Sequence, residues 1–502
     1  MKTAALPLLA LLATGCAGPI AASPEARTAR YLESIRGRTA SETVFVREMP
    51  KGGELHTHLS GAVYAEAYLR WAAEDGLCAR RSPPSIVDPP CDAARGDVSG
   101  AAIALDVPLY RALVDGFSMR NFPYATGSGH DHFFDTFERF DARRERYGDM
   151  LAEVVSRLAR QNTRYVEVMQ SLGVGGANRV GREAGWTDDL AVMSTRVPES
   201  AVAAVVADAR QRMDAQETRM RALLRCGQAG EDPGCGVTLR YLVQMIRTVP
   251  REEVFAQAVA AVAIIEADPR AVGLNLVAPK DDPVAVRDYR DHMRVIDHVT
   301  RRGTRVNVAL HAGELTPSLV PPEVASDHVR LAVELAGARR IGHGTDIAWE
   351  HDARGTLAMM ASRGVAVEHC LSSADVILGV RGAEHPWGLY REAGVAQVIC
   401  TDDEGVSRTD LSREYLRAVQ SLRPGVDGAQ DPGSQRAGAL LPAGRDAVGA
   451  RLHERRVSVG GAWSGASWRG LRSLAGGERA GEGAVAPRGL AAALRGDVVS
   501  PR

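Results

Sequence analysis

Two histidines one residue apart, His56-Thr57-His58, precede by most of the chain a pair of aspartates, Asp402-Asp403. At i and i+2 on a β-strand, side chains leave the same face, so both imidazoles can reach one metal ion. Between these ends lie His311-Ala312-Gly313-Glu314 and Gly342-His343-Gly344. His56, His58, His311 and Asp402 form an N/O ligand set suited to Zn2+, one ion per chain. Glu314, His343 and Asp403 are left over for proton transfer and substrate binding.

Residues this far apart need a scaffold that gathers strand ends. Short apolar runs, often β-branched and bounded by Gly, Pro or charge, predict strands at 54–58, 164–169, 238–243, 272–276, 305–311, 340–343, 365–369 and 397–401. Helical stretches separate them, among them 62–74, 149–161, 252–266, 283–302, 325–335 and 355–363. This alternation predicts the α/β class and a (β/α)8 barrel. His56 and His58 close the first strand, His311 the fifth and His343 the sixth, and Asp402 follows the eighth. These are C-terminal strand ends, where barrel enzymes place their chemistry.

Two insertions interrupt the alternation. The first, about 76–146, is expected to be helical and contains Phe133, Phe137 and Phe140 at helical spacing. That face either packs on the barrel or forms a lid whose Phe133 and Phe137 line the pocket mouth. His130 and His132 do not face together on a helix and are no metal pair. The second insertion, about 173–217, is polar and reads as a surface excursion.

The chain has 502 residues, 45% hydrophobic and 25% charged, with a formal net charge of −1. Nothing in that balance suits a polyanion, which argues against nucleic acid as a partner. Residues 1–16 hold Lys2, an apolar run and Thr14-Gly15-Cys16. They resemble a bacterial lipoprotein signal with Cys16 lipidated, implying the cell envelope, periplasmic or outer-membrane, or otherwise secretion. Cys78 with Cys91, and Cys226 with Cys235, flank loops and are expected to close disulfides in an oxidising compartment. Cys370 and Cys400 are expected to be buried thiols. Residues 423–502 lack Phe, Tyr, Ile, Met, Lys, Cys, Thr and Asn. Such a stretch cannot offset chain entropy by burial. It reads as a disordered low-complexity tail or as a shifted reading frame, leaving 30–422 as the barrel.

The pieces Met49-Pro-Lys-Gly, His56-Thr-His-Leu, His311-Ala-Gly-Glu, Arg340-Ile-Gly-His-Gly, His385-Pro386 and Thr401-Asp-Asp resemble the adenosine deaminase family of the metal-dependent amidohydrolases. The opening Met-Pro-Lys-Gly and the long first insertion are similar to the secreted, growth-factor-like branch and its bacterial relatives. The resemblance implies Zn2+ on the four ligands above and hydrolytic deamination of adenosine or 2′-deoxyadenosine. It implies Glu314 as proton donor to purine N1, His343 as the residue orienting and deprotonating water, and Asp403 as the partner of N7. Ser60 stands where the family carries an Asp that meets the ribose, and Ala278 where it carries a Gly at the purine. Both point to a purine nucleoside whose recognition departs from the family pattern, such as another 6-aminopurine or a modified nucleoside. A catalytically impaired nucleoside-binding protein is the remaining alternative. A two-metal hydrolase bridged by a modified Lys is disfavoured, since Lys280 comes after Pro279 rather than at a strand end.

Overall fold

The computed structural model describes residues 23–421 apart from 302, 304 and 305. All of them fall in the first of two units, Met1–Ala447 and Val448–Arg502. The leader with Cys16 and the tail 423–502 lie outside the described residues.

Eight parallel strands form the centre: β1 (Gly52–His58), β2 (Thr163–Gln170), β3 (Thr238–Ile246), β4 (Ala271–Val277), β5 (Ala309–Ala312), β6 (Arg340–His343), β7 (Ala366–His369) and β8 (Ala396–Ile399). They pair as two parallel ladders, β1-β2-β3-β4 and β5-β6-β7-β8. Two parallel bridges join the ladders, Leu274 with Val308 and Thr57 with Asp402. At one seam Leu274 N donates to Asn307 O at 3.0 Å, and at the other Asp402 N donates to His56 O at 2.9 Å. Strand order follows chain order and the last strand meets the first, so the sheet closes into a (β/α)8 barrel. All eight expected strands are present, with ends shifted by a few residues; β5 starts later than expected, at Ala309.

The helices follow from their spacing. In Pro283–Thr300, Ala285, Asp288, Tyr289, His292, Met293, Ile296 and Val299 are buried, which is one stripe at i, i+3, i+4 and i+7. Asp282 caps it by accepting from Val284 N at 2.8 Å, and Pro283 occupies the first turn. Such a cap contributes about 1 kcal/mol.

Both insertions differ from expectation. The first is mixed rather than helical: Cys78–Arg81, Pro84–Val87 and Val98–Ser99 form a small antiparallel sheet beside helices Val107–Gly116 and Gly129–Arg139. The Cys78–Cys91 disulfide ties that sheet, and Cys226–Cys235 closes the loop before β3. Cys370 and Cys400 are buried free thiols. The second insertion is no loose excursion. Its helices include Glu199–Leu223, which buries Val205, Ala209, Met213, Gln216 and Met220 at helical spacing. The high polarity of its other faces concealed that stripe.

Candidate metal and catalytic site

The barrel places the sequence-predicted groups at one mouth. β1 ends with His56 and His58, β5 carries His311, β6 carries His343, and Asp402 and Asp403 follow β8. Nε2 of His311 lies 3.1 Å from Nε2 of His56 and 3.2 Å from Nε2 of His58. Asp402 Oδ1 lies 3.4 and 3.2 Å from the same atoms of His56 and His58. The donor atoms of the four lie within 4.8 Å of one another.

Partners behind the rings decide what those nitrogens carry. His56 Nδ1 meets Glu368 Oε2 at 2.7 Å, His58 Nδ1 meets Gln244 Oε1 at 2.8 Å, and His311 Nδ1 meets Asn275 Oδ1 at 2.8 Å. Each partner atom is an acceptor, so each Nδ1 donates and each Nε2 presents a lone pair inward. Ser373 Oγ donates to Asp402 Oδ2 at 2.7 Å, which leaves Oδ1, buried and without a hydrogen bond, on the side of the histidines. Converging lone pairs and a bare carboxylate oxygen repel one another unless a cation sits among them. Tetrahedral coordination with bonds of about 2.0–2.1 Å spaces nitrogens about 3.3 Å apart, close to the separations seen here. The donor set therefore fits a divalent metal.

The backbone is bent to make this possible. His343, Asp402 and Ala278 adopt positive φ of 70°, 60° and 86°. Strain of this kind costs about 1–3 kcal/mol per residue and collects at functional sites. Two glycines make room: a Cβ on Gly342 would lie 2.5 Å from His56 Cε1, and one on Gly61 would lie 1.6 Å from Asp403 Oδ1.

Beside the ligands, His343 Nε2 stands 3.5 Å from Glu314 Oε1 and 3.9 Å from Asp402 Oδ2. Burial pushes the His343 imidazole down to about 4, so it is neutral at pH 7. Burial and the adjacent Asp402 push the Asp403 carboxyl well up. Glu314 departs from expectation. A desolvated pocket alone would keep it protonated, and burial does push it up. His343 and Lys280 outweigh burial and hold it below the usual carboxylate value. Lys280 is buried, and its ammonium is ion-paired with Glu314 Oε2.

The other expected contacts fare differently. Phe133 is buried in the core, and Phe137 packs between Phe133 and Phe140, which stacks on Tyr68. The aromatic face therefore packs inward. Phe134 is the ring that reaches the site, its centroid 6.0 Å from Lys280 Nζ. Ser60 sits in the short helix Leu59–Ala62 directly after His58, with its carbonyl taken by the Tyr68 hydroxyl at 2.8 Å. Ala278 lies just past β4. His130 and His132 part company: His130 Nε2 meets Asp281 Oδ1 at 3.0 Å, while His132 meets backbone carbonyls.

Sequence reasoning missed the supporting groups. Glu368 and Ser373 belong to none of the motifs read from the sequence, yet both orient metal ligands. Arg247 is fully buried and donates to the carbonyls of Leu276 and His311, clamping the ends of β4 and β5. Gln244 and Asn275 carried no signal beyond lying near strand ends. A cavity of about 750 Å3 lies elsewhere, with Arg47, Tyr124, Asp375, Arg408, Arg413 and Arg417 in its wall. None of the metal ligands, Glu314, His343 or Asp403 lines it, and all of them except the half-buried His58 are buried.

A family model described as adenosine deaminase matches residues 128–430. The chain belongs to the adenosine deaminase family. β1 and its two histidines precede the matched segment, and barrel closure alone brings them to the site. An adenosine deaminase of Vibrio vulnificus is 26% identical over 36% of this chain and 50% of its own length. The N6-methyl-AMP deaminase of Danio rerio is 30% identical over 41% of this chain and 55% of its own length. The chain thus spans about half the length of the curated relatives it matches. Among solved structures, an Arabidopsis N6-mAMP deaminase is similar at 18% identity and a TM-score of 0.48, over 76% of this chain and 90% of that one. An adenine deaminase of Arthrobacter aurescens is similar at 16% identity and a TM-score of 0.45, over 74% and 88%.

Proposed function

We propose that the protein is a zinc-dependent deaminase that converts adenosine or 2′-deoxyadenosine to the 6-oxopurine nucleoside and ammonia. The observation that carries this is the convergence of three inward Nε2 lone pairs and Asp402 Oδ1 beside Glu314 and His343. Zn2+ held by His56, His58, His311 and Asp402 would supply Lewis acidity and bring a bound water toward a pKa of about 7. His343, neutral and within reach of both carboxylates, orients the attacking water and takes its proton. Glu314 gives a proton to N1 as C6 becomes tetrahedral, so charge does not build on the ring. Asp403 meets N7 and fixes which face of the ring is attacked. The amino group takes up the proton held by His343 and leaves C6 as ammonia, and the C6 hydroxyl gives its proton to solvent as the 6-oxo group forms.

Ser60 and Ala278 support a second reading of the substrate. A hydroxyl replaces a carboxylate at the position that meets the ribose in the family, and a methyl replaces hydrogen where the purine approaches. Another 6-aminopurine, such as an N6-modified nucleoside or its monophosphate, suits those changes, and a curated relative is named for N6-methyl-AMP. A substrate panel of adenosine, deoxyadenosine, adenine, AMP and N6-methyl-AMP tests both readings. Adenosine or deoxyadenosine as best substrate supports the first, and a modified or phosphorylated substrate supports the second. No turnover refutes both and leaves a nucleoside-binding protein.

Export to the envelope is part of the proposal, supported by two disulfides that need an oxidising compartment. Among the described residues no single helix is long and apolar enough to cross a membrane. Membrane contact would come through a lipid on Cys16. Fractionation of cells carrying Cys16→Ala tests this: the protein should leave the membrane pellet, and unchanged pelleting would contradict the anchor.

A further inference from the structure

Lys280 has no part in the chemistry described so far, yet it sits on the acid. Its ammonium is buried and paired with Glu314 Oε2. It stands there because the chain turns at Ala278, at a φ of 86°. The turn is gripped from outside by helix Gly129–Arg139 at two neighbouring residues. Phe134 lies 6.0 Å from Lys280 Nζ, and His130 Nε2 lies 3.0 Å from Asp281 Oδ1. Two residues of one helix thus hold the turn that holds the lysine. The other charged or titratable groups that act on this pair are His311, His343, Asp402 and Asp403 from the strand ends, Arg247 beneath, and His130 and Asp281 at the rim.

This arrangement poses a chemical problem for the deaminase reading, on which the inference rests. A proton donor must hold a proton, and a carboxylate paired with an ammonium holds none. The missing proton is on Lys280. We infer that Lys280 is a positioning residue that supplies, through Glu314, the proton delivered to purine N1, with helix Gly129–Arg139 keeping it in place. An ammonium with a carboxylate and an amine with a carboxyl carry the same number of protons. The first transfer breaks Nζ–H and makes Oε2–H. The second breaks that O–H as N1–H forms, while the C6=N1 π pair moves onto N1. Lys280 is then a neutral amine and regains its proton from solvent when product leaves.

The test is the pH dependence of kcat/KM and kcat for the full-length, zinc-loaded protein, comparing wild type, Lys280→Met and Lys280→Arg on the best substrate of the panel. Without the lysine, Glu314 alone must hold the proton, and it does so only at lower pH. Lys280→Met should move the basic limb to lower pH by about one unit or more. At pH 6 it should stay within about tenfold of wild type, and at pH 9 fall about 100-fold, the scale of one displaced proton donor. Lys280→Arg should keep the pairing but not the transfer, since arginine does not give up its proton. It should be slow at every pH. An infrared difference spectrum gives a readout independent of turnover. Lys280→Met should show a protonated-carboxyl band at pH 7 that is absent from wild type and abolished by adding Glu314→Gln. Parallel pH profiles, an active Lys280→Arg, or no new carboxyl band would overturn the role of Lys280 while leaving the deaminase intact. Absence of turnover of every purine would instead remove the deaminase reading, and this inference with it.

Discussion

The two sides of the site are built to different standards. On the metal side every ligand is backed by a second group: Glu368 behind His56, Gln244 behind His58, Asn275 behind His311 and Ser373 behind Asp402. On the β4 side a strained Ala278, Lys280 and Asp281 are held by a helix of an insertion. The metal side has almost no freedom, because each imidazole can point only one nitrogen inward. The β4 side depends on two side-chain contacts to that helix, Phe134 with Lys280 and His130 with Asp281.

The largest effect should come from the acid that both sides share. Glu314→Gln should retain zinc while losing about 10²–10⁴-fold in kcat, because one positioned acid is worth that much. Retained activity would break the division of labour at its centre. Next comes the backing of the metal side. Glu368→Gln removes the charge that orients His56 and should weaken zinc affinity about 10–100-fold, read by competition with a chelator. An unchanged affinity would mean the barrel positions the ring unaided.

These two residues show how unevenly the site was legible. His56, His58, His311 and Asp402 could be read because their types and strand-end positions recur in the right order along the chain. Eight apolar runs sufficed for the barrel, since parallel strands buried on both faces are nearly continuous in hydrophobicity. Glu368, Gln244, Asn275 and Ser373 could not be read in the same way. Their meaning lies in which ring they touch across the barrel, and that is set by register rather than by local pattern. Lys280 was discounted for its place after Pro279, and the positive φ of Ala278 is what brings it back to Glu314. The aromatic face of Gly129–Arg139 was legible as a face, but Phe133 and Phe137 turned to the core and left Phe134 toward the lysine.

Smaller effects sharpen the account of the β4 side. Ala278→Gly should relieve the strain at a φ of 86° and raise the unfolding free energy by about 1 kcal/mol, measured by urea denaturation. A loss of stability would mean the methyl packs better than its backbone is strained. The His130–Asp281 contact adds a mild pH dependence. Burial lowers the His130 pKa, but hydrogen bonds to Asp281 and Asp131 outweigh it and leave it raised. Its contribution to holding the helix is therefore full below the ordinary value of about 6.5 and lost as pH rises through the raised value. Hydrogen exchange in Gly129–Arg139 should quicken across that window, and His130→Gln should abolish the change. A pH-independent exchange profile in wild type would show that the latch does not hold the helix.

The proposed deaminase needs its four converging ligands to hold a zinc ion for turnover. It is tested most directly by adding zinc stepwise to metal-free protein while following loss of the 6-aminopurine absorbance band across the substrate panel. Turnover should rise in proportion to zinc and level off at one equivalent. Zinc bound to saturation with no turnover of any member of the panel would contradict it.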